Sequence, residues 1–211
     1  MYCAGWSCRT DTKETCFSGR SKVITKNGYQ KELADVKIGE EVLVLNGGNT
    51  LSFEPIFDFI HAHRTGMYTF LRLTAFNAQA NKTVSIEISF YHLIFLFENQ
   101  YPIHASRVRI GDLLQIVDGI NVLPGVVVKI EETKSEGFLS PLTPSGTIVI
   151  DGIVASNYAV VHSHLVAHYV MQPYRWWRAF FGASRQNDSK INTYATFFYK
   201  FSTATGLINI L

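Results

Sequence analysis

A five-residue phrase that leads into a strand occurs twice in this chain, and the repetition narrows the available folds more than any other feature. Val36-Lys37-Ile38-Gly39-Glu40 runs into Val42-Leu43-Val44-Leu45. Val108-Arg109-Ile110-Gly111-Asp112 runs into Leu114-Gln115-Ile116-Val117, 72 positions further on. Downstream of each copy come a strand pair and then a serine close to an aromatic residue: Ser89-Phe90-Tyr91-His92 in one half, Ser156-Asn157-Tyr158 in the other. Self-similarity at a fixed offset marks a structural unit used twice. Two halves of roughly 70 residues each imply a pseudo-two-fold domain built by duplication, with equivalent strand ends meeting at a central cleft, a common place for a site.

The local pattern makes that unit a β unit. Residues 21–25 meet Lys26-Asn27-Gly28, a strong hairpin signal, and the chain returns toward Leu33. Lys37-Ile38-Gly39-Glu40 reads as a turn, and residues 42–45 as a strand stopped by Asn46-Gly47-Gly48. Further strands are expected over residues 56–60, 67–74, 83–89 and 93–97, and no helical period is evident before about residue 163. With 211 residues, 47% of them hydrophobic and 17% charged, the chain has ample material for a core.

Several classes of function fall away on charge and hydropathy. A net charge of +2 without a basic run gives no footprint for nucleic acid. The apolar run over residues 88–97 contains His92 and is too short to span a membrane. Residues 1–15 lack the apolar core of a signal peptide, so a secretory signal was lost, lies upstream, or never existed. Two sequons, Asn81-Lys82-Thr83 and Asn187-Asp188-Ser189, fit a secretory origin. After Pro173 the character changes. Tyr174, Trp177 and Phe181, then Tyr194, Phe197, Phe198 and Phe201, recur at helical spacing. They describe either a helical pair packed on the β domain or an aromatic appendage suited to a lipid or membrane surface.

The chemistry concentrates at Cys16-Phe17-Ser18-Gly19, where a polar lead gives way to the strands. All three cysteines, Cys3, Cys8 and Cys16, lie in the first 16 residues, and an odd count leaves at least one thiol unpaired within the chain. Cys3 and Cys8 pair with each other or bind nothing, and an unstructured lead is the expectation. A cysteine at the first residue of a folded domain can attack the carbonyl immediately before it through a five-membered ring. Such an intramolecular reaction, when well oriented, removes about 7–11 kcal/mol of barrier. The plain alternative is a buried apolar cysteine.

The chain also resembles a known family, on separate blocks that occur in the right order. Cys16-Phe17-Ser18-Gly19-Arg20-Ser21 resembles the start of the hedgehog-type autoprocessing domain, the Hint module shared with inteins. Ser89-Phe90-Tyr91-His92-Leu93 is similar to that family's Thr-x-x-His block. Gly146-Thr147-Ile148-Val149-Ile150, with Ala155-Ser156-Asn157-Tyr158-Ala159-Val160 and Ala167-His168-Tyr169, resembles its closing block. Tyr194-Ala195 and Phe198-Tyr199-Lys200 look like its sterol- or adduct-recognition tail. The divergent details look most like nematode hedgehog-related proteins of the warthog type.

The resemblance implies an all-β, pseudo-two-fold Hint fold over residues 16–173, a flexible lead over residues 1–15 and a mainly helical tail over residues 174–211. It implies self-cleavage at Thr15–Cys16. Cys16 forms the thioester, His92 protonates the leaving amide nitrogen, and Ser89 holds or polarises the scissile amide. The upstream fragment then passes to a lipid alcohol, a sterol or another, as co-substrate, and no metal or organic cofactor is needed. The family activates that alcohol with an aspartate in an aromatic-aliphatic-Asp-Arg block. Here the block reads Phe59-Ile60-His61-Ala62, so His61 stands where the acid is expected, as a base or as a mere strand residue.

Other departures are Thr15 in place of the usual glycine and Asn157 in place of a second cysteine. Tyr158 follows Asn157, so splicing is not expected. His162, His164 and His168 have metal-like spacing but lack a fourth ligand, and no metal is expected. The partners implied are the chain's own upstream domain, a lipid alcohol bound near Trp177, Phe181, Tyr194, Phe197, Phe198 and Phe201, and a membrane surface reached through the tail. Nucleic acid is not among them, and the compartment implied is the secretory pathway. Two alternatives stay open: hydrolytic self-cleavage without lipid attachment, and a catalytically silent lipid-binding module.

Overall fold

A computed structural model describes residues 2–4, 7–9, 15–99 and 101–157. The expected helical tail and the histidines at positions 162, 164 and 168 lie outside the described residues. Within them the structure is strands and turns, as the duplication and the turn signals imply.

The lead is the first departure from expectation. Two short strands, β1 (Tyr2–Ala4) and β2 (Ser7–Arg9), pair antiparallel in a segment that the sequence suggested would be unstructured. The main domain then opens with β3 (Lys22–Ile24) and β4 (Gln30–Glu32), the hairpin that Lys26-Asn27-Gly28 announces. Gly28 takes φ +81°, a conformation glycine adopts without steric cost. β5 (Glu41–Leu45) and β6 (Leu51–Pro55) form a second hairpin, closed where Asn46 Oδ1 accepts the amides of Gly48 and Thr50.

Two very long strands form the backbone of the domain. The segments read as separate strands at residues 56–60 and 67–74 are a single strand, β7 (Asp58–Asn77). β8 (Lys82–Ile88) returns beside it, while the strand expected over residues 93–97 shortens to β9 (Leu93–Ile94). β10 (Ile103–His104) and β11 (Leu113–Asp118) lead into β12 (Asn121–Leu142), which pairs with β7 along most of its length. β13 (Thr147–Ile150) and β14 (Ile153–Ser156) complete the described chain. The large sheet runs β10-β9-β14-β11-β12-β7-β8 with β13 paired to β14. Irregular register on β12 at Val127/Lys129, Glu136/Phe138 and Leu139/Pro141 explains why the two long strands do not alternate cleanly in sequence.

The duplication is visible bond by bond. In the first half the Leu33 amide donates to Ser21 O at 2.8 Å, and the Ala34 amide to Gly19 O at 2.9 Å. In the second, the Ala105 amide donates to His92 O at 2.8 Å and the Ser106 amide to Phe90 O at 2.9 Å. Each copy then makes one 3-10 turn, Leu33–Asp35 or Ala105–Arg107. In the phrase itself, the Lys37 amide donates to Glu40 Oε2 and the Arg109 amide to Asp112 Oδ2, both at 2.8 Å. Gly39 and Gly111, at φ +91° and +96°, turn the chain so that their amides donate to Ile56 O and Val127 O.

This equivalence reaches the residues that matter chemically. The Ser21 amide donates to Ser18 O at 3.2 Å, and the His92 amide to Ser89 O at 3.1 Å. Ser18-x-x-Ser21 and Ser89-x-x-His92 are therefore one turn used twice. Phe17 and Ile88, the residues just before the two turns, pair with each other across the pseudo-axis. Both are fully buried, in the core that also holds Leu73, Ile86, Leu139 and Ile94. Burying a phenylalanine side chain is worth about 1.5–3 kcal/mol, so Phe17 anchors the residue before it.

Candidate active site

That preceding residue is Cys16, and its backbone is held on both sides. The Phe17 amide donates to Leu139 O at 2.8 Å, and the Leu139 amide returns a bond to Phe17 O at 3.0 Å. Phe17 thus lies between β8 and β12 as a one-residue strand. Ser89 closes on Cys16 twice. Its amide donates to Cys16 O at 2.9 Å, and its Oγ accepts the Cys16 amide at 2.9 Å. The nitrogen of the Thr15–Cys16 peptide bond therefore points at Ser89 Oγ. Both residues of that bond are buried, Thr15 at 4% exposure and Cys16 at 0%.

His92 is fully buried next to this point, its ring centroid 4.2 Å from that of Phe17. Nε2 lies 2.6 Å from Ser156 O. A carbonyl only accepts, so Nε2 carries the hydrogen and Nδ1 presents a lone pair. Nδ1 is buried without a hydrogen-bond partner among the described residues. Burial pushes the His92 pKa down to about 4; the backbone bond to Ser156 opposes the shift and His104 adds to it. The family resemblance has His92 protonate the leaving amide nitrogen, as an imidazole already carrying a proton would. Burial corrects this: His92 is neutral at pH 7 and must receive a proton before giving one.

Linkage makes this burial visible in stability. The unfolded chain protonates a histidine near pH 6.5 and the folded chain only near 4. Between those values the unfolded state binds more protons, so stability falls as pH drops through that window and is fully present above it. His92 alone should remove about 3 kcal/mol between pH 7 and 4. Urea midpoints at pH 7.5 and 5.0 should differ clearly more in the wild-type chain than in a His92→Gln chain.

His61 takes a different place. It is half-buried on β7, its ring 6.0 Å from Phe138 and 6.5 Å from His63. Phe138 belongs with Cys16 and Phe70 to one small buried cluster, against which Tyr68 packs. The structure thus joins Cys16, Ser89 and His92 directly through hydrogen bonds and the Phe17 ring. It brings His61 to the edge of the Cys16 cluster through Phe138. Trp177, Phe181, Tyr194, Phe197, Phe198 and Phe201 lie outside the described residues.

Supporting residues that sequence reasoning missed are mostly backbone groups and hydroxyls. Ser156 contributes only its carbonyl. It is fixed because the next residue, Asn157, is 1% exposed and donates from Nδ2 to Thr143 Oγ1 at 2.8 Å, and from its amide to Gly146 O at 2.9 Å. Asn157, where the resemblance leads one to expect cysteine, thus clamps the carbonyl that orients His92. On the other side Ser18 Oγ lies 2.6 Å from Ser135 Oγ, and the Gly19 amide donates to Glu136 O at 2.9 Å.

This last contact demands glycine. A Cβ on Gly137, which has φ +81°, would sit 2.8 Å from Gly19 Cα and 3.0 Å from its nitrogen. Backbone cannot swing aside as a side-chain tip can. Gly137→Ala should cost about 2–4 kcal/mol from left-handed strain and the forced separation of β12 from the turn at Gly19. It should also displace Cys16 relative to Ser89. A lowered urea midpoint together with a slowed release of an upstream reporter checks both.

Among the described residues no group of three histidine, cysteine, aspartate or glutamate side chains is placed to hold a metal ion. The structure thus sets a buried cysteine, its amide held by the Ser89 hydroxyl, beside a buried neutral histidine. Comparison with known proteins shows the family. The family model of the Hint module matches residues 7–206, so the chain belongs to the Hint family. It is 28% identical over 165 residues to the protein hedgehog of Drosophila virilis, covering 76% of this chain and 33% of that protein. Sonic hedgehog protein of Danio rerio is 30% identical over 168 residues, with 76% and 39% covered. The chain thus spans between a third and two fifths of the length of these relatives. Among solved structures it resembles the Ssp DnaB mini-intein variant M86, with TM-score 0.56 at 15% identity over 67% of this chain and 93% of that one. The gp41-1 intein gives TM-score 0.51 at 15% identity, over 68% and 98%. At that identity the likeness is one of fold.

Proposed function

We propose that this chain cuts itself between Thr15 and Cys16 through an internal thioester and passes the upstream fragment to a lipid alcohol. The observation that carries the reading is the hydrogen bond from the Cys16 amide to Ser89 Oγ, which presents the nitrogen that must leave inside a buried site. In the first step Cys16 Sγ attacks the Thr15 carbonyl carbon. The C–N bond breaks, a thioester forms, and the thiol proton ends on the Cys16 nitrogen. Neutral His92, with Nδ1 open, is suited to take that proton and deliver it. Ser89 Oγ keeps the nitrogen's hydrogen directed away from the incoming proton as the amide loses planarity.

In the second step the alcohol oxygen attacks the thioester carbonyl and His61 accepts its proton. Cys16 leaves as a thiolate and recovers a proton, so the fragment departs as an ester at Thr15. The substrate is the chain's own upstream domain, and the reaction needs no metal or organic cofactor. A secretory setting suits this reading, since Asn81 of the first sequon stands exposed in the β7–β8 turn at φ 45°. The C-terminal aromatics would supply the lipid contact and, through them, a membrane surface.

A second reading is hydrolysis, with water replacing the alcohol. It draws support from His61, which stands half-buried on β7 where water reaches it. The two separate by product mass. A reporter joined upstream of Met1 is incubated with and without a lipid-alcohol extract. An ester-sized gain at Thr15 that needs the extract supports transfer. A free carboxylate in both reactions supports hydrolysis, and no release in either supports the silent lipid-binding alternative.

A further inference from the structure

In the lead, Cys3 and Cys8 stand directly opposite one another in the β1–β2 register, between the pairs Tyr2↔Arg9 and Ala4↔Ser7. Two residues, Gly5-Trp6, separate the strands in sequence, the length of the shortest common hairpin connection. In a two-residue hairpin the pair flanking the turn exchanges hydrogen bonds, so Ala4↔Ser7 is the hydrogen-bonded pair. The next pair out, Cys3↔Cys8, is then non-hydrogen-bonded. Such pairs have Cα atoms about 4.5 Å apart with their side chains brought close. Disulfides need Cα separations of about 4.4–6.8 Å. Two strands of three residues are too short to persist unaided in water; β2 lies against β7, and a cross-link between the strands would hold the pair closed in addition.

We propose that Cys3 and Cys8 form a disulfide that closes this hairpin and leaves Cys16 as the chain's single thiol. One cysteine thiolate attacks glutathione disulfide and releases one glutathione thiol. The other thiolate then displaces the second, so two protein thiols are oxidised and one glutathione disulfide is reduced. The consequence for chemistry rests on the cleavage proposed above. An open Cys8 thiol, seven positions before Thr15, would compete for the thioester by exchange or pair with Cys16 and block it. Locking Cys8 to Cys3 removes both routes, and the staple leaves with the released fragment.

The test is peptide mass on the full chain. The chain is equilibrated in a glutathione–glutathione disulfide buffer, unfolded in denaturant with iodoacetamide and digested with trypsin, which cuts after Arg9. The expected peptide 1–9 is unlabelled and lighter by two hydrogens, while the Cys16 peptide is alkylated. Prior reduction should add two labels to peptide 1–9. In a Cys3→Ser chain Cys8 should become open to label without reductant. Two labels on peptide 1–9 of the wild-type chain without reductant, or its cross-link to the Cys16 peptide, would overturn the proposal. Peptide 1–9 lies upstream of the cut and reads the same whether or not the chain cleaves, so this result is independent of the cleavage itself.

Discussion

A Cys16→Ala chain should fold normally and release nothing from its upstream end. The substitution removes one sulfur from a small cluster formed with Phe70 and Phe138. The loss in stability should be about 1–2 kcal/mol, at the low end of buried truncations. Both Ser89 bonds to the Cys16 backbone survive, because neither uses the side chain. What vanishes is the nucleophile whose attack proceeds through a five-membered ring, and no other group inherits that geometry. Reporter release followed over days should be undetectable, against release in the wild-type chain, with the urea midpoint only modestly lowered. Cys16→Ser should fall between the two, since a hydroxyl is a far weaker nucleophile near neutrality.

His92→Gln should slow the first step by about 10²–10⁴-fold, the usual worth of a positioned proton-transfer group. Glutamine keeps an N–H able to reach Ser156 O, so orientation and packing are largely retained while proton transfer at Nδ1 is lost. The pH profile discriminates further. Because His92 is held neutral down to about pH 4, the wild-type first step should stay level between about pH 7.5 and 5.5 and fail only as His92 protonates. A decline centred near 6.5 would mean that His92 titrates as an ordinary exposed histidine, against the burial on which its role is argued. The direction matters as well: acid should inactivate, since protonated His92 cannot accept the thiol proton.

What sequence could show here follows from where each signal resides. The sequence singles out Cys16, Ser89 and His92 through the two blocks that carry them, and the structure brings the three together. The duplication was legible in its turns, where Gly39 and Gly111 take φ values that glycine readily supplies. Their carboxylate neighbours Glu40 and Asp112 then bind the same backbone amide in each copy. The long strands were not legible as single elements. Their bulges break the alternation, and Gly66 and Gly137, both at positive φ, sit inside β7 and β12. The Ser156 carbonyl left no trace, because any residue type offers one. The neutral state of His92 was equally hidden, since it depends on burial by residues remote in sequence. The lead hairpin was missed because its strands are too short for any period to register.

The most direct test of the central claim is to intercept the acyl group on Cys16. A reporter joined upstream of Met1 is incubated with hydroxylamine, which attacks thioesters far faster than amides, and the products are weighed intact. The expected products are a reporter fragment ending at Thr15 as its hydroxamate and a partner beginning at Cys16, with neither formed by the Cys16→Ala chain. An uncut wild-type fusion, or the same cleavage in Cys16→Ala, would contradict that claim.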